Sequence, residues 1–374
     1  MEPKRPPAPI PLTILTGYLG AGKTTLLNRM LRDPALADTV VVVNEFGEVG
    51  LDHLLFETVE DGLVLLSAGC LCCTVRGDLV QTLEDLLRKR DNGRIAPFRR
   101  VVIETTGLAD PAPVLAAVLY HPYLSLRYAL GAVVTVVDAL LGSETLDGRA
   151  EALRQAAVAD RIVLTKTDLA ADQSQVDALR ARLAALNPSA EIVTAIRGEA
   201  DARTIVGDAV FDPEGKIADV REWLRAEQVE SGRDHSHHHG HAHDVSRHDE
   251  TIRSFVLRAD KPLGQSALDM FLDLIRSSFG PRILRVKGLV DVRESPGRPV
   301  LIQGVQHVLH VAGLLPAWPD EDHRTRLVLI TDDVPEEAVR RLWDAFTNQP
   351  GIDAPDAAAI ADNPLAPATL KRTA

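Results

Sequence analysis

The sequence contains very few cysteines, three among 374 residues. Three cysteines cannot form a disulfide framework, so the class of small disulfide-stabilised secreted proteins is excluded. All three lie in one short segment, Cys70-Leu71-Cys72-Cys73. Because the rest of the chain has no cysteine, this clustering indicates thiolate chemistry in a reducing compartment.

The sequence also lacks long apolar runs and an excess of basic residues. Its longest apolar stretches are shorter than the ~20 residues that span a bilayer, and the proline-rich segment from Met1 to Pro11 has no apolar core typical of a secretory signal. Acidic residues outnumber basic residues 53 to 41, giving a formal net charge of -12. This balance argues against nucleic acid and anionic membranes as partners. We therefore expect a cytoplasmic protein without a nucleic-acid or membrane partner.

Short β-branched runs alternate with segments of helical periodicity between Leu12 and about Val193. Runs such as Val40–Val43 are entirely apolar, as expected of strands that helices cover on both faces. This alternation predicts an α/β fold with a doubly wound, mainly parallel sheet. After it come runs of strands between two helices, including a strand predicted over Gln306–Val311, which favour a smaller C-terminal α+β domain. The predicted domains are 1–230, a histidine-rich linker at 231–250, 251–350, and a flexible tail at 351–374.

A phosphate-loop motif follows the first predicted strand. The segment Gly17-Tyr18-Leu19-Gly20-Ala21-Gly22-Lys23-Thr24 matches G-x-x-x-x-G-K-[ST] in full and precedes a helical run. The glycines let backbone N–H groups face phosphates, and the helix N-terminus adds partial positive charge. Lys23 is expected to reach the β- and γ-phosphates, and the Thr24 hydroxyl to ligate Mg²⁺. The motif predicts a nucleotide site.

The sequence Thr165-Lys166-Thr167-Asp168 indicates which nucleotide binds. The Asp168 carboxylate can accept hydrogen bonds from two N–H donors of guanine that adenine does not offer, while the Lys166 stem packs on the base. Thr165 departs from the common element N-K-x-D. Lysine and aspartate also occur here as caps of a following helix, but the position between two predicted strands favours GTP. The turn at Ala195 is expected to offer a backbone N–H to the base.

A predicted buried strand that begins at Val101 leads into Glu104-Thr105-Thr106-Gly107. The end of such a strand is where nucleotide-hydrolysing P-loop enzymes place the carboxylate that lies near Mg²⁺. Glu104 is expected either to hold a metal-bound water or to orient the attacking water. Gly107 is expected to bring a backbone N–H towards the γ-phosphate. Lys23, Thr24 and Glu104 are therefore the candidate catalytic residues.

Two further segments favour metal binding. Three thiolates suit Zn²⁺ or another borderline metal and leave one coordination position open, which is typical of a site that exchanges metal rather than of a structural zinc site. Seven of the twelve histidines lie between His235 and His248. Imidazoles at this density bind divalent transition metals weakly, so we interpret the segment as a metal-collecting arm.

Taken together, the motifs resemble those of the CobW-type GTPases, P-loop proteins regarded as nucleotide-dependent metal chaperones or insertases. The resemblance rests on G-x-x-G-x-G-K-T-T, N-E-F-G-E-V-G (Asn44 to Gly50), G-C-x-C-C, E-T-T-G-x-A-D-P (Glu104 to Pro111) and [NT]-K-x-D. It continues through Leu284-Arg285-Val286-Lys287-Gly288 and Gln303-Gly304-Val305-Gln306, which are similar to that family's C-terminal domain. It therefore covers nearly the whole chain.

The resemblance assigns roles position by position. It implies that phosphate is bound by Gly17–Thr24 together with Thr25, that Asn44–Gly50 form the first switch, and that Glu104 lies in the second. It also implies that Cys70, Cys72 and Cys73 bind metal and that Thr165–Asp168 contact the base. Glu48 and His121 are candidates for the open metal position.

We therefore predict a GTP-hydrolysing metal chaperone with the cofactors GTP and Mg²⁺. Zinc is the first candidate for the transferred metal, Co²⁺ is also possible, and the recipient is an unidentified client metalloprotein. The alternatives are a cobalt or iron insertase for one dedicated enzyme and a metal buffer that nucleotide regulates. A small-molecule kinase is disfavoured, because it would give the cysteines no role.

Overall fold

A computed structural model describes residues 8–44, 63–66, 75–196, 201–206 and 251–347. Seven strands of the N-terminal part form one sheet in the order β3-β2-β4-β1-β5-β6-β7. Every neighbouring pair in this sheet is parallel. The predicted doubly wound parallel sheet is confirmed. The strands are β1 (Ile10–Thr16), β2 (Thr39–Asn44), β3 (Leu63–Leu66), β4 (Arg100–Thr105), β5 (Tyr128–Asp138), β6 (Arg161–Thr165) and β7 (Glu191–Thr194).

Helices cover both faces of this sheet. They are α1 (Lys23–Met30), α2 (Val75–Asp91), α3 (Pro111–Leu119), α4 (Leu124–Arg127), α5 (Gly142–Gly148), α6 (Ala150–Val158), α7 (Gln173–Leu186) and α8 (Ala202–Val206). Side chains of β2 alternate between the two faces: Val40 and Val42 pack with α2 and α3, whereas Val41 and Val43 pack with α1 and α8. This two-sided burial explains why the strand is apolar throughout.

The carboxyl ends of β2, β3 and β4 lie side by side. Asn44, at the end of β2, is the register partner of both Leu66 in β3 and Thr105 in β4. Glu104 is the register partner of Leu15 in β1, just before the phosphate loop. Parallel strands bring the segments that follow them to one edge, which is where open α/β sheets bind ligands.

The C-terminal part forms a five-stranded sheet in the order β11-β10-β9-β12-β8. Neighbouring strands in this sheet are antiparallel. The helices α9 (Gln265–Phe279) and α10 (Glu336–Thr347) pack on the sheet through Phe271 and Trp343. The strands are β8 (Ile252–Ala259), β9 (Ile283–Val290), β10 (Val300–Val305), β11 (Val308–Leu314) and β12 (Thr325–Asp332). The predicted α+β arrangement is confirmed.

The strand predicted over Gln306–Val311 begins too early. Gln306 has a φ of 50° and lies in the turn between β10 and β11, and the strand starts at Val308. The sequence does not mark this turn because the left-handed residue is glutamine rather than glycine or asparagine, which turns of this kind favour.

The two sheets share a packed interface. Helices α3, α6 and α7 contact β11, β9 and β8 respectively, and Leu284, Val305, Val308 and Ile330 join the apolar core of the N-terminal sheet.

Among the described residues, no helix combines the length and the apolar character needed to cross a membrane.

A buried charge cluster lies in this interface. Arg285 and Lys287, each with 1% of its side chain exposed, contact Asp160 Oδ1 at 2.5 and 2.9 Å. The other Asp160 oxygen accepts a hydrogen bond from the Val133 N–H at 2.8 Å. Burial by itself would raise the pKa of Asp160, but the two neighbouring cations and this N–H outweigh it and hold the pKa well below its usual range. Asp160 therefore stays ionised inside the protein.

Candidate functional site

The phosphate loop connects β1 to α1. Gly17, Gly20 and Gly22 have φ values of 141°, 75° and 95°, a region that residues with a Cβ rarely adopt. Gly22 is the N-cap of α1 and provides no side-chain hydrogen bond to the helix. The N–H groups of the first helical turn are therefore directed towards the loop, an arrangement that binds anions. Thr25 lies in this first turn.

Lys23 contacts the phosphate loop, and Thr24 contacts the end of β4. The Lys23 ammonium donates to the carbonyl oxygens of Gly17 at 2.8 Å and Tyr18 at 3.3 Å, so it lies inside the curve of the loop. The Thr24 hydroxyl donates to Glu104 Oε1 at 2.9 Å. Glu104 is buried, and its position follows from the β1–β4 register. A hydroxyl beside a carboxylate offers the oxygen ligands that Mg²⁺ prefers.

The segment from Thr105 to Asp110 connects β4 to α3 and packs on the phosphate loop. A Cβ on Gly107 would lie 2.5 Å from the backbone nitrogen of Leu19, so only glycine fits at this contact. The Gln155 side chain donates to the carbonyl oxygens of Gly107 at 3.2 Å and Ala109 at 3.1 Å. We call residues 105–110 the nucleotide loop, because they are held directly against the phosphate loop.

Thr165 and Lys166 connect the end of β6 to the phosphate loop. The Thr165 hydroxyl donates to the carbonyl oxygen of Ala21 at 2.6 Å. Lys166 has a left-handed φ of 58°, and its ammonium donates to Gly20 O at 2.8 Å and Asp138 Oδ2 at 2.6 Å. The element that departs from N-K-x-D thus contacts the phosphate loop through both of its first two residues.

The other two candidate base contacts have different surroundings. Asp168 is exposed in the short 3-10 turn Thr167–Leu169. Ala195 is fully buried, and its N–H donates to Leu164 O at 2.8 Å. The N–H of Ala195 is therefore engaged with β6 rather than available to a base.

The candidate metal ligands Cys70, Cys72, Cys73 and Glu48 lie outside the described residues, as does the histidine-rich linker. His121 is described, at the end of α3 opposite to the nucleotide loop. Its Nδ1 accepts a hydrogen bond from Leu124 N at 3.3 Å and its Nε2 lies 3.8 Å from Glu84 Oε1. In the part of the chain that the structure describes, no group of three His, Cys, Asp or Glu side chains is placed to hold a metal ion.

Two residues of the site were not predicted from the sequence. Asp138 ends β5 and uses its two oxygens for the Leu140 N–H and the Lys166 ammonium. Gln155 is a polar residue among the buried apolar positions of α6 and holds the nucleotide loop. Each has a signal in the sequence, namely an acid at a strand end and a lone amide on an apolar helix face, although neither signal identifies the partner.

A parallel sheet with a glycine loop leading into α1, a lysine inside that loop and a threonine paired with a strand-end glutamate defines the P-loop class of nucleotide-binding proteins. Within that class the chain belongs to the CobW family. The family model "CobW/HypB/UreG, nucleotide-binding domain" matches residues 11–194. The model "Cobalamin synthesis protein cobW C-terminal domain" matches residues 252–347. The resemblance found in the sequence is confirmed.

Named relatives cover most of the chain. The zinc chaperone YjiA of Escherichia coli is 34% identical over 332 residues, which are 89% of this chain and 97% of that protein. A zinc chaperone CobW of Sinorhizobium is 32% identical, with 88% and 95% covered. A zinc-regulated GTPase metalloprotein activator 1 of Schizosaccharomyces pombe is 28% identical, with 86% and 82% covered. The crystal structure of Zn(II)-bound YjiA GTPase from E. coli matches with a TM-score of 0.62 at 29% identity, covering 91% of this chain and 99% of that one.

Proposed function

We propose that this chain is a GTP-hydrolysing metal chaperone that binds zinc at Cys70, Cys72 and Cys73 and delivers it to a client metalloprotein in a nucleotide-dependent way. The observation that carries the proposal is the shared edge where β2, β3 and β4 end, with Asn44 in register with Leu66 and Thr105. The cysteine motif follows Leu66 in the sequence. A change at the γ-phosphate can therefore act on the thiol segment through neighbouring strand ends.

The nucleotide in this proposal is GTP. Asp168 accepts hydrogen bonds from the N–H donors of guanine, and adenine is rejected because it would leave the carboxylate without them. Lys166 supports this assignment, because its contact with Gly20 O holds the base element against the phosphate loop. Lys23 binds the β- and γ-phosphates, and the N–H groups of the first turn of α1 complete the phosphate site.

GTP hydrolysis is assigned to Thr24, Glu104 and Gly107, which lie beside the phosphate loop. Thr24 would ligate Mg²⁺ with Glu104 beside it, and the ion would neutralise charge on the phosphates when it is bound. Glu104 acts on a water, either one bound to the metal or the attacking one, and the Gly107 N–H contacts the γ-phosphate. The 2.9 Å Thr24–Glu104 hydrogen bond supports these roles because it already places both oxygens together.

Zinc is the transferred metal in this proposal. Three thiolates suit Zn²⁺, and the relatives named zinc chaperones and zinc-regulated GTPases support the choice. Glu48 is proposed as an oxygen ligand for the open position. Cobalt is the second candidate, because ligand type alone does not decide between divalent transition metals. We also propose that residues 235–248 collect metal for the cysteines.

Metal analysis of the GTP-loaded protein tests the proposal. Deleting residues 235–248 removes seven histidines, whose bound zinc would otherwise be counted together with the zinc of the thiol site. The shortened chain should retain about one Zn²⁺ per molecule, as a single thiolate site does. Adding Cys72→Ala should remove that zinc while leaving GTP binding intact. Equal zinc contents with and without Cys72→Ala would contradict the proposed site. Loss of GTP binding on deletion of 235–248 would contradict the role of a collecting arm.

A further inference from the structure

The turn between β10 and β11 reaches from the C-terminal sheet to the nucleotide loop. Gln306 is 7% exposed, and its side-chain amide donates to Asp110 Oδ2 at 2.5 Å across the interface. Its φ of 50° is unfavourable for a residue with a side chain. Backbone strain of this kind persists where surrounding contacts hold it and is concentrated at functional positions. Gln306 is therefore held in place rather than placed by its own preference.

Asp110 is the last residue of the nucleotide loop and the N-cap of α3. Its Oδ1 accepts a hydrogen bond from the Ala112 N–H at 2.9 Å, so one oxygen caps the helix while the other binds Gln306. The C-terminal sheet thereby fixes the point at which the loop ends and the helix starts.

A second residue that holds the nucleotide loop also lies on an element of the interface between the two sheets. Gln155 holds the carbonyl oxygens of Gly107 and Ala109, and its helix α6 packs against β9. Two of the contacts that hold the nucleotide loop, those of Gln306 and Gln155, thus come from elements that belong to or touch the C-terminal sheet.

We propose that Gln306 is a positioning residue through which the C-terminal domain holds the nucleotide loop against the phosphate loop and so favours GTP over GDP. The inference rests on the proposed GTP site. Gly107 must stay beside the phosphate loop for its N–H to reach a γ-phosphate, which GDP lacks. Because coupling free energies are reciprocal, a partner that displaces the β10–β11 turn lowers the preference for GTP, and GTP opposes that displacement.

A second contact between the same two elements provides a matched control. The Tyr120 hydroxyl, just after α3, donates to His307 O at 2.6 Å and accepts from the Leu309 N–H at 3.2 Å. It joins α3 to the same turn, but at the helix end opposite to the nucleotide loop. Tyr120→Phe therefore loosens the interface without touching Asp110.

The test compares affinities of the full chain for a non-hydrolysable GTP analogue and for GDP, with Mg²⁺ and without zinc. Gln306→Glu sets a carboxylate against Asp110 and should lower the ratio of analogue affinity to GDP affinity by about fivefold or more, the usual lower range of allosteric coupling. Adding Asp110→Asn supplies an amide donor for the new carboxylate and should restore the ratio. Tyr120→Phe should keep the wild-type ratio.

Three results would overturn the inference: an unchanged or raised ratio in Gln306→Glu, no recovery in the double variant, or an equal fall in Tyr120→Phe. Recovery in the double variant also shows that the chain still folds. If the wild-type chain binds neither guanine nucleotide, the proposed function fails as well. If it binds both nucleotides and Gln306→Glu changes nothing, only the inference fails.

Discussion

Thr165 departs from the common GTPase motif, and its hydroxyl still contacts the phosphate loop. Where the common GTPase element has asparagine, the hydroxyl of Thr165 donates to Ala21 O in the phosphate loop. Lys166 reinforces the same connection through Gly20 O. The sequence predicts a base element here from four adjacent residues, but it cannot identify a backbone carbonyl far along the chain as the acceptor. Specific contacts of this kind arise only when the sheet brings the carboxyl ends of β1 and β6 to the same edge.

At Asp168 we predict a change of base specificity. Asp168→Asn replaces an acceptor with an amide donor that meets the N–H groups of guanine, so affinity for GTP should fall on the order of 100-fold or more. Affinity for xanthosine triphosphate should rise, because its 2-oxo group accepts from the amide. Nucleotide titration by fluorescence measures both.

The control for Asp168→Asn is Asp172→Asn. Asp172 caps α7 through the Ser174 N–H, and asparagine is an equally good cap. The Asp172→Asn variant should bind GTP as tightly as the wild type does. An Asp168→Asn protein with unchanged GTP affinity would remove Asp168 from the base site.

At the scale of elements, strands are the part that the sequence predicts best. β3, for example, begins and ends where its apolar run does. The short helix α5, Gly142–Gly148, was not predicted because its sequence contains two glycines and little apolar periodicity. The β10–β11 turn was misplaced because tertiary contacts, and not turn residues, hold Gln306 at positive φ. Candidate site residues were located where they follow predicted strands, whereas Asp138 and Gln155 act through partners that no local pattern reveals.

The contact between the nucleotide loop and the phosphate loop yields an element-scale prediction. Gly107→Ala places a Cβ against the backbone of Leu19, so the loop must move by a substantial fraction of an ångström. Misplacement of this size in an active site lowers rates on the order of 100-fold, and we expect that loss in GTP hydrolysis measured by phosphate release. Gly148→Ala at the end of α5 meets open space and should hydrolyse GTP normally. Normal hydrolysis by Gly107→Ala would show that the loop does not act on the γ-phosphate.

At the scale of the whole molecule, the sequence predicts two folded parts but not how they join. Its C-terminal motif Leu284–Gly288 contributes Arg285 and Lys287 to the buried cluster with Asp160, and Gln303–Gln306 leads into the turn that binds Asp110. Several of the residues that carry the family resemblance in this domain, among them Arg285, Lys287 and Gln306, are thus interface residues. A resemblance identifies such positions, and only the packed structure assigns their partners.

Asp160→Asn should destabilise the molecule strongly. It removes the negative charge between Arg285 and Lys287, and breaking a buried ion pair lowers the free energy of unfolding by roughly 3–5 kcal/mol. Chemical denaturation followed by tryptophan fluorescence measures the change. The control is Asp273→Asn, which removes an exposed pair with Arg276 and should cost less than about 1 kcal/mol.

The charge of Asp160 also predicts how the stability difference between the wild type and Asp160→Asn depends on pH. The pKa of Asp160 in the folded protein lies below its ordinary value of 3.8, so its stabilising contribution is fully present above that pH and is lost as the pH falls through the lowered pKa. The stability difference between the wild type and Asp160→Asn should be constant from pH 7 to about 5 and shrink in stronger acid. A difference that grows as the pH is lowered would contradict an ionised Asp160.

Nucleotide-dependent metal affinity is the central claim, and one titration tests it. Zn²⁺ affinity of the full chain is measured against a competing chelator, once with a non-hydrolysable GTP analogue and once with GDP. Because the histidine-rich segment is present in both titrations, the same comparison is made in Cys72→Ala, which shows whether a difference arises at the thiol site. We predict tighter zinc binding with the analogue, and no difference between the two nucleotides in Cys72→Ala. Equal zinc affinities in the wild type would contradict the account.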